Sequence, residues 1–184
     1  MLQVYAWKIA DEMLQQKRDL ESCYFAAQTM RTKIQFSFHE LPTEAHNSLR
    51  DSLMEHIGQV NDVTNTVIVT QVSLIRNSLL DTDLLYVYVN VMVSNWCCMF
   101  QLCLALADLA LQMSSWQKPV VDLIGKFGRT NVWPLLEILT VLPEEVNSRL
   151  LRLGANRRLE VMQEFGSTAP TVTEFLVSFI LTNL

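Results

Sequence analysis

The sequence predicts an all-α protein: an α-solenoid of antiparallel helix pairs that stack into a partial superhelix. Half of the 184 residues are hydrophobic, and glycine and proline contribute only five residues each, too few turn-forming residues for a chain of many β-strands. Apolar residues recur at steps of three and four along most of the chain, which is the period of an amphipathic helix. Short polar joints separate these segments, as in repeat proteins built from helix pairs.

The amino-terminal part contains two predicted helices. Tyr5–Gln16 forms a short one, and a polar joint leads into a longer helix that begins at Leu20. The residue before a proline disfavours helical geometry, so we expect the longer helix to end at Leu41-Pro42. Its buried side is marked by apolar residues at helical spacing: Leu20, Tyr24, Ala27, Met30, Ile34 and Phe38.

The remaining helices follow from the same period and from the positions of proline and glycine. A second Leu-Pro pair, Leu142-Pro143, is expected to end a helix in the same way. Glu144 and Glu145 would then start the next segment, where the helix dipole favours carboxylates. The predicted helices are a stripe at Leu49, Leu53, Ile57 and Val60, then Leu102–Met113, Pro119–Phe127 with Gly128 closing it, Asn131–Leu142 and Ala155–Phe165.

Residues 72–101 interrupt this repeat pattern, and three interpretations remain open. The stretch from Leu84 to Ala107 contains no charged residue, so by hydropathy it is a candidate membrane span. Against a span, no cluster of lysine or arginine flanks it on either side. The stretch is also consistent with a buried extension of a solenoid helix. The third interpretation is that residues 72–101 are translated intron.

The intron hypothesis rests on codons and on spacing. Gln71-Val72-Ser73 can be encoded by CAG-GTN-AGN, the form of a splice donor, and Phe100-Gln101 by TTT-CAG, the form of an acceptor. Removing residues 72–101 also brings the two Leu-Pro pairs to about two repeats apart, given roughly 40 residues per repeat. The predicted division is therefore helical repeats over 1–71, an apolar insert over 72–101, further repeats over 102–176 and an unrelated tail over 177–184.

Charge and cysteine content argue against several classes of function. The net charge is −5, which disfavours a nucleic-acid binder because phosphate recognition needs a basic face. The four cysteines are spaced neither as a disulfide framework nor as a zinc site, and they favour a reducing, intracellular compartment. No serine-nucleophile elbow, phosphate-binding loop or paired-histidine zinc motif is found in the sequence. The histidines His39, His46 and His56 are expected on the surface, so we predict no enzyme, no cofactor and no metal.

A candidate partner surface lies on the long helix, opposite its apolar stripe. On a helical wheel this face carries two phenylalanines, which is unusual for a side that faces only water. The alternative interpretation is that the helix lies between two neighbours and buries both of its sides. The candidate residues are Ser22, Phe25, Thr29, Lys33 and Phe36.

Seven blocks of the chain, in order, resemble the amino-terminal HEAT repeats of the transportin-SR receptors in the importin-β superfamily: ESCYFAAQTM, KIQ, HELPTEAHNSLRDSL, VIVTQ, LALADLALQM, LLEILTVLPEEV and LGANRR. The resemblance covers nearly everything outside 72–101 and the last eight residues. It implies HEAT-type helix pairs, binding of the small GTPase Ran in its GTP form, and shuttling between cytoplasm and nucleus. The candidate face would then contact Ran-GTP, with Lys33 supplying charge complementarity.

The resemblance also limits what this chain is expected to do. In the family, serine/arginine-rich (SR-rich) cargo is bound mainly by repeats far beyond this end, and the opening helix pair has no counterpart before Met1. We therefore expect a fragment of a nuclear import receptor for SR-rich proteins, with Ran-GTP as its partner and with cargo and nucleoporin contacts belonging to the full-length receptors. Two alternatives are a small membrane-associated helical protein with a span near 84–107 and a non-functional truncated gene product.

Overall fold

The structure is a computed structural model, and it describes residues 2–16, 19–59, 82–151 and 153–183. Every regular element in these ranges is helical, which confirms the predicted all-α class. The helices are α1 (Leu2–Gln15), α2 (Leu20–Ser37) with a 3-10 turn at Phe38–Glu40, α3 (helical over residues 43–59), α4 (Thr82–Gln112), α5 (Pro119–Phe127), α6 (Val132–Val146) and α7 (Ala155–Asn183).

The helices form two layers with alternating members. The even-numbered helices lie side by side, because α4 packs against both α2 and α6. The odd-numbered helices form the second layer: α1 is hydrogen-bonded to α3, and α5 packs against α7. Contacts of α1 with α2 and of α5 with α6 hold the layers together. This alternation is the arrangement expected of stacked helix pairs in an α-solenoid.

Helix α4 forms the centre of the hydrophobic core. Every residue from Leu102 to Leu111 is buried, because α4 lies between α2 and α6. The predicted apolar stripe of α2 packs into the same core through Ala27, Met30 and Ile34. Full burial of one large aliphatic side chain stabilises a fold by about 1.5–3 kcal/mol, so this interface fixes how the even-numbered helices lie. Within the described part of the chain, no helix combines the length and the hydropathy that a membrane span requires.

The predicted ends of two helices agree with proline and glycine chemistry. Leu41 has extended backbone angles, φ −83° and ψ 128°, as the residue before Pro42 should, although α2 itself ends at Ser37 and tightens into the 3-10 turn. Helix α5 begins at Pro119 and ends before Gly128, as predicted. A Cβ at Gly128 would lie 2.5 Å from the Ile124 carbonyl oxygen of α5 itself and 3.0 Å from the Phe175 ring on α7, so a larger residue here would force the end of α5 to shift.

Two predicted helix ends are wrong. The proline at Pro143 does not stop α6, which continues to Val146, because a proline in the last turn removes only one helical hydrogen bond. Glu144 and Glu145 therefore lie at the end of α6, not at the start of the next segment. The last helix does not end at Phe165 but runs through Pro170 to Asn183. Its apolar side packs against the core, which offsets the hydrogen bond lost at the proline.

The first turn of α7 is tied to the ends of two other helices by adjacent arginines. Arg157 donates to the carbonyl oxygens of Leu111 (3.0 Å) and Ala110 (3.4 Å) at the end of α4. Arg158 donates to the carbonyl oxygens of Val146, at the end of α6, and of Ser148 (3.2 Å). Carbonyls in the last turn of a helix lack helical donors, and a cation there also favours the helix dipole. The two arginines are thus part of the fold.

The predicted division of the chain stays a prediction. The boundary between residues 71 and 72 lies outside the described residues. The boundary between 101 and 102 falls inside α4, which passes through it without a break, and residues 177–183 continue α7. Helical continuity at these points describes the structure of the chain and does not test its gene structure.

Candidate partner-binding surface

The outward face of α2 carries an open groove. The Phe25 side chain is 63% exposed and the Phe36 side chain 42% exposed, while Thr29 and Lys33 are partly buried between them. These four residues line one groove of about 360 Å³ together with Gln28, Thr32 and Ser37, and we call it the α2 groove. The two phenylalanines are therefore not buried by a second neighbour in the described chain, as the alternative interpretation of this face would require.

Ser22, the fifth candidate residue, has a different role at the start of α2. The Asp19 carboxylate accepts one hydrogen bond from the Ser22 backbone N–H and another from the Ser22 hydroxyl, both at 2.8 Å. Asp19 thereby caps the helix and satisfies a backbone donor that has no helical partner. Ser22 is committed to this cap and does not line the groove.

Three residues of the groove, Gln28, Thr32 and Ser37, were not among the sequence candidates. Gln28 and Thr32 follow Phe25 by three and seven positions and Ser37 follows Lys33 by four, spacings that place residues on one helix face, so the helical wheel could have identified them. The Thr32 hydroxyl donates to the Gln28 carbonyl oxygen at 2.8 Å, which leaves its oxygen as an acceptor. The Gln28 side chain is exposed and can both donate to and accept from a partner.

Lys33 provides the charge of the α2 groove. It is the one charged residue among those that line the groove, and in the described ranges its ammonium group makes no ion pair. Aromatic rings stand one to two turns away on either side of it. The groove thus presents one cation between two exposed rings, which suits a partner segment that pairs an acidic side chain with apolar ones.

The opposite face of α2 is held by a polar network that spans α2, α4 and α6. Arg31 Nε lies 3.3 Å from Asp108 Oδ2 on α4, and Arg31 Nη2 lies 3.0 Å from Glu145 Oε1 on α6. Gln35 Nε2 donates to the same Asp108 oxygen at 3.0 Å. Gln112 Nε2 donates to the Ile34 carbonyl oxygen at 2.6 Å. Together these hydrogen bonds and ion pairs fix the rotation of α2 about its own axis. They therefore determine which residues of α2 face outward.

Asp108 is the most perturbed carboxyl of this network. It is fully buried, and among the described residues its Oδ1 atom and Glu145 Oε2 have no hydrogen-bond partner. Burial and the nearby Glu145 carboxylate together raise the pKa of Asp108 to about 7, against the opposing effects of Arg31 and Gln35. One cation therefore serves two acidic groups, and near neutral pH Asp108 exchanges between a charged and a protonated form.

Ser52, His56 and Asp11 form a cluster whose composition is that of a hydrolase triad. The Ser52 hydroxyl lies 3.2 Å from His56 Nε2, and Asp11 Oδ1 lies 2.8 Å from the same nitrogen. A catalytic triad needs the carboxylate on the other ring nitrogen, so this cluster joins α1 to α3 and does not activate the serine. His56 is buried, so its predicted surface position was wrong, whereas His39 is exposed.

The buried cysteines, Cys98 and Cys103, are not reactive thiolates at neutral pH. Burial raises the pKa of Cys98 to about 12 and also raises the pKa of Cys103 above its ordinary value. Thiols in such surroundings are inert as nucleophiles and as metal ligands. In the described ranges, no group of three or more histidine, cysteine or acidic residues is placed to hold a metal ion.

Comparison with protein-family models gives two matches along the chain. Residues 3–59, which contain α1 to α3, match the model described as importin-beta N-terminal domain. Residues 95–183, which contain most of α4 and all of α5 to α7, match the model described as exportin 1-like protein. The α2 groove thus lies inside the first match.

Similar full-length proteins are much longer than this chain. An uncharacterized protein of Schizosaccharomyces pombe is 27% identical over 184 residues, which cover 95% of this chain and 16% of that protein. Importin-13 of Homo sapiens is 27% identical over 93% of this chain and 16% of its own length. Transportin MOS14 of Arabidopsis thaliana is 29% identical over 88% of this chain and 14% of its own length. The chain therefore spans about one sixth of these relatives.

The two family matches and the relatives agree with one another and with the two-layered helical fold. Both models describe transport proteins of one superfamily, and the names importin and transportin recur among the relatives. The chain belongs to the importin-β superfamily, whose members are transport receptors and not enzymes.

Proposed function

We propose that this chain is part of a nuclear transport receptor and that its α2 groove contacts the small GTPase Ran in the GTP form. The observation that carries the proposal is that the exposed Phe25 and Phe36 flank Lys33 on α2, within the part of the chain that matches the importin-beta N-terminal domain. The function is recognition of a protein partner, without chemistry and without a cofactor.

Selectivity for the GTP form follows from how small GTPases change shape. Their switch segments are ordered by the γ-phosphate and are released after hydrolysis. A groove that needs an apolar side chain near Phe25 or Phe36 and an acid near Lys33 binds only when these partner groups are held together. Arg31 and Gln35 hold α2 in place through its inner face. The α2 groove is therefore preorganised, and little conformational entropy is lost on binding.

The remaining functions of the receptor belong to the whole protein. We propose that it shuttles between cytoplasm and nucleus and carries SR-rich cargo past nucleoporins, as the resemblance to transportin-SR implies. This chain corresponds to about one sixth of its relatives. We assign none of its residues to cargo or to nucleoporins.

A binding titration tests the proposal. The full chain is titrated with GTP-loaded Ran, with GDP-loaded Ran as the nucleotide control. Lys33→Glu should weaken GTP-form binding by at least about tenfold, because it replaces an attraction by a repulsion across the interface. Lys126→Glu is the matched control, since it makes the same charge change at an exposed position in the last turn of α5.

The outcomes separate the proposal from its alternatives. Saturable binding that requires GTP and is weakened only by the α2 variant supports the assignment. Equal binding of both nucleotide forms, or equal loss in the two lysine variants, removes the α2 groove as the Ran site. Circular dichroism of each variant confirms that the helical content is unchanged.

A further inference from the structure

Helix α7 exposes a second groove on the side that faces away from the core. The groove is shallow and open, and its lining includes Gly166, Ala169, Pro170, Glu174, Val177 and Leu181. We call it the α7 groove. Leu181 is 73% exposed and Val177 is 51% exposed, although the other side of the same helix packs against the core through Val172 and Phe175. The helix is thus apolar on two opposite sides, and only one of them is covered.

The α2 and α7 grooves complement each other in charge. Lys33 is the one charged residue among those that line the α2 groove, and Glu174 is the one charged residue among those that line the α7 groove. Apart from these two, the linings consist of apolar, small and hydroxyl or amide side chains. A self-pairing of either groove centred on its charged residue would place like charges opposite each other.

We propose that the chain associates head to tail with a second copy of itself, the α2 groove of one copy packing against the α7 groove of the next. An antiparallel arrangement of the two helices brings Lys33 opposite Glu174. At 1.5 Å rise per residue, Phe25 then lies near Leu181, eight and seven positions from the charged pair. Phe36, three positions beyond Lys33, lies near Pro170 and Ala169, where small side chains leave room for its ring.

The two grooves generate a chain of copies rather than a closed dimer. The α2 groove lies on a helix of the even-numbered layer, and the α7 groove lies on a helix of the odd-numbered layer, near the other end of the helix order. An interface between two different surfaces is heterologous, and such contacts continue from copy to copy unless the rotation closes a ring. A standard stable interface covers about 800 Å² per partner, more than one helix groove offers, so the association is weak and depends on protein concentration.

Sedimentation equilibrium of the full chain over a hundredfold range of concentration tests the proposal. The average mass of the wild-type protein should rise with concentration. Lys33→Glu and Glu174→Lys should each weaken this association at least about tenfold, because each places like charges opposite one another. Lys126→Glu on α5 and Glu144→Lys on α6 are matched controls, since both positions are exposed, lie outside the two grooves and make no ion pair among the described residues.

Mixing the two variants gives the sharpest test. The chain with Lys33→Glu retains its α7 groove and the chain with Glu174→Lys retains its α2 groove, while the two altered grooves complement each other with their charges exchanged. An equal mixture should therefore associate with the two variants alternating, although each variant alone associates weakly. The double variant Lys33→Glu/Glu174→Lys should associate again, because the pair is restored with its charges exchanged. This recovery also shows that the single variants did not fail by misfolding.

Three results would overturn the proposal. They are a wild-type mass that stays monomeric over the whole range, single variants that associate as the wild type does, and a folded double variant that remains a monomer. Both proposals use the α2 groove, so one copy cannot bind Ran and a second copy there at the same time, but they can be tested separately because Glu174 lies outside that groove. Glu174→Lys should abolish self-association and leave the affinity for GTP-loaded Ran unchanged at low protein concentration.

Discussion

The two faces of α2 differ in what they require from the rest of the chain. On the inner face, Arg31 reaches Asp108 and Glu145, which are 77 and 114 positions away in sequence. On the outer face, Phe25 and Lys33 stand in a groove open to solvent. A single helix therefore separates the two tasks: its inner face contributes to the free energy of folding, while its outer face is available for recognition.

The largest expected effect on stability comes from a substitution that disrupts the inner face of α2. Arg31→Met leaves Asp108 and Glu145 without their shared cation, and an uncompensated buried charge typically costs about 3–5 kcal/mol. We expect the free energy of unfolding to fall by about 3 kcal/mol, at the lower end, because Asp108 can take up a proton. Denaturant unfolding at neutral pH, followed by circular dichroism, measures this loss.

Lys33→Met, two positions along on the outer face, is the matched control for this substitution. It removes a cation that makes no ion pair among the described residues, so we expect a change below about 0.5 kcal/mol. Equal losses in the two variants would show that the inner network does not distinguish the faces.

The next effect is a pH dependence that arises from the inner face. The pKa of Asp108 in the folded state is about 7, above its ordinary value of 3.8. Between these values the native state holds a proton that the unfolded state has lost. The free energy of unfolding should therefore decrease as the pH rises from about 4 to about 7, by up to about 1.4 kcal/mol per pH unit.

Asp108→Asn should remove this slope, because the amide keeps the size of the side chain but cannot titrate. Its oxygen can still accept from Arg31, while Glu145 keeps its own bond to that arginine. Denaturant unfolding of both proteins at several pH values between 5 and 8 measures the difference. Parallel curves would mean that Asp108 titrates near its ordinary pKa in the folded protein.

The smallest effect on stability belongs to the outer face. Phe25→Ala removes an exposed ring, so the free energy of unfolding should change by less than about 0.5 kcal/mol. The affinity for GTP-loaded Ran should nevertheless fall at least about tenfold, as for other aromatic anchors at interfaces. Ala substitution at the exposed Trp133 on α6 is the control for loss of an aromatic ring outside the α2 groove. A large loss of stability in Phe25→Ala would show that this ring packs within the chain.

Local patterns predicted much of the fold and of the groove. The helical period identified the apolar stripe of α2 and its opposite face, and Lys118-Pro119 and Gly128 fixed both ends of α5. Four of the five candidate residues line one groove because residues three or four positions apart share a helix face. The fifth, Ser22, lies on the same face but is taken by the Asp19 cap.

The inner network could not be predicted, because its members are distant in sequence. Nothing near Glu145 in the sequence indicates that its partner is Arg31. The predicted end of α6 at Pro143 also placed Glu145 at the start of the next helix, whereas it lies in the last turn of α6. The burial of His56 depends in the same way on Asp11, which a different helix supplies. Proline does not end α6 or α7, because packing against neighbouring helices outweighs one lost hydrogen bond.

The consecutive arginines at the start of α7 have a consequence for how the sequence can change length. Arg157 reaches the end of α4 and Arg158 reaches Val146 at the end of α6, so two adjacent residues bridge the ends of two helices. Arg158 also donates to carbonyl oxygens inside the connection between α6 and α7, at Ser148 and Leu151, so inserting or deleting a residue there would displace acceptors of this side chain. We expect length variation among natural versions of this protein to avoid that connection.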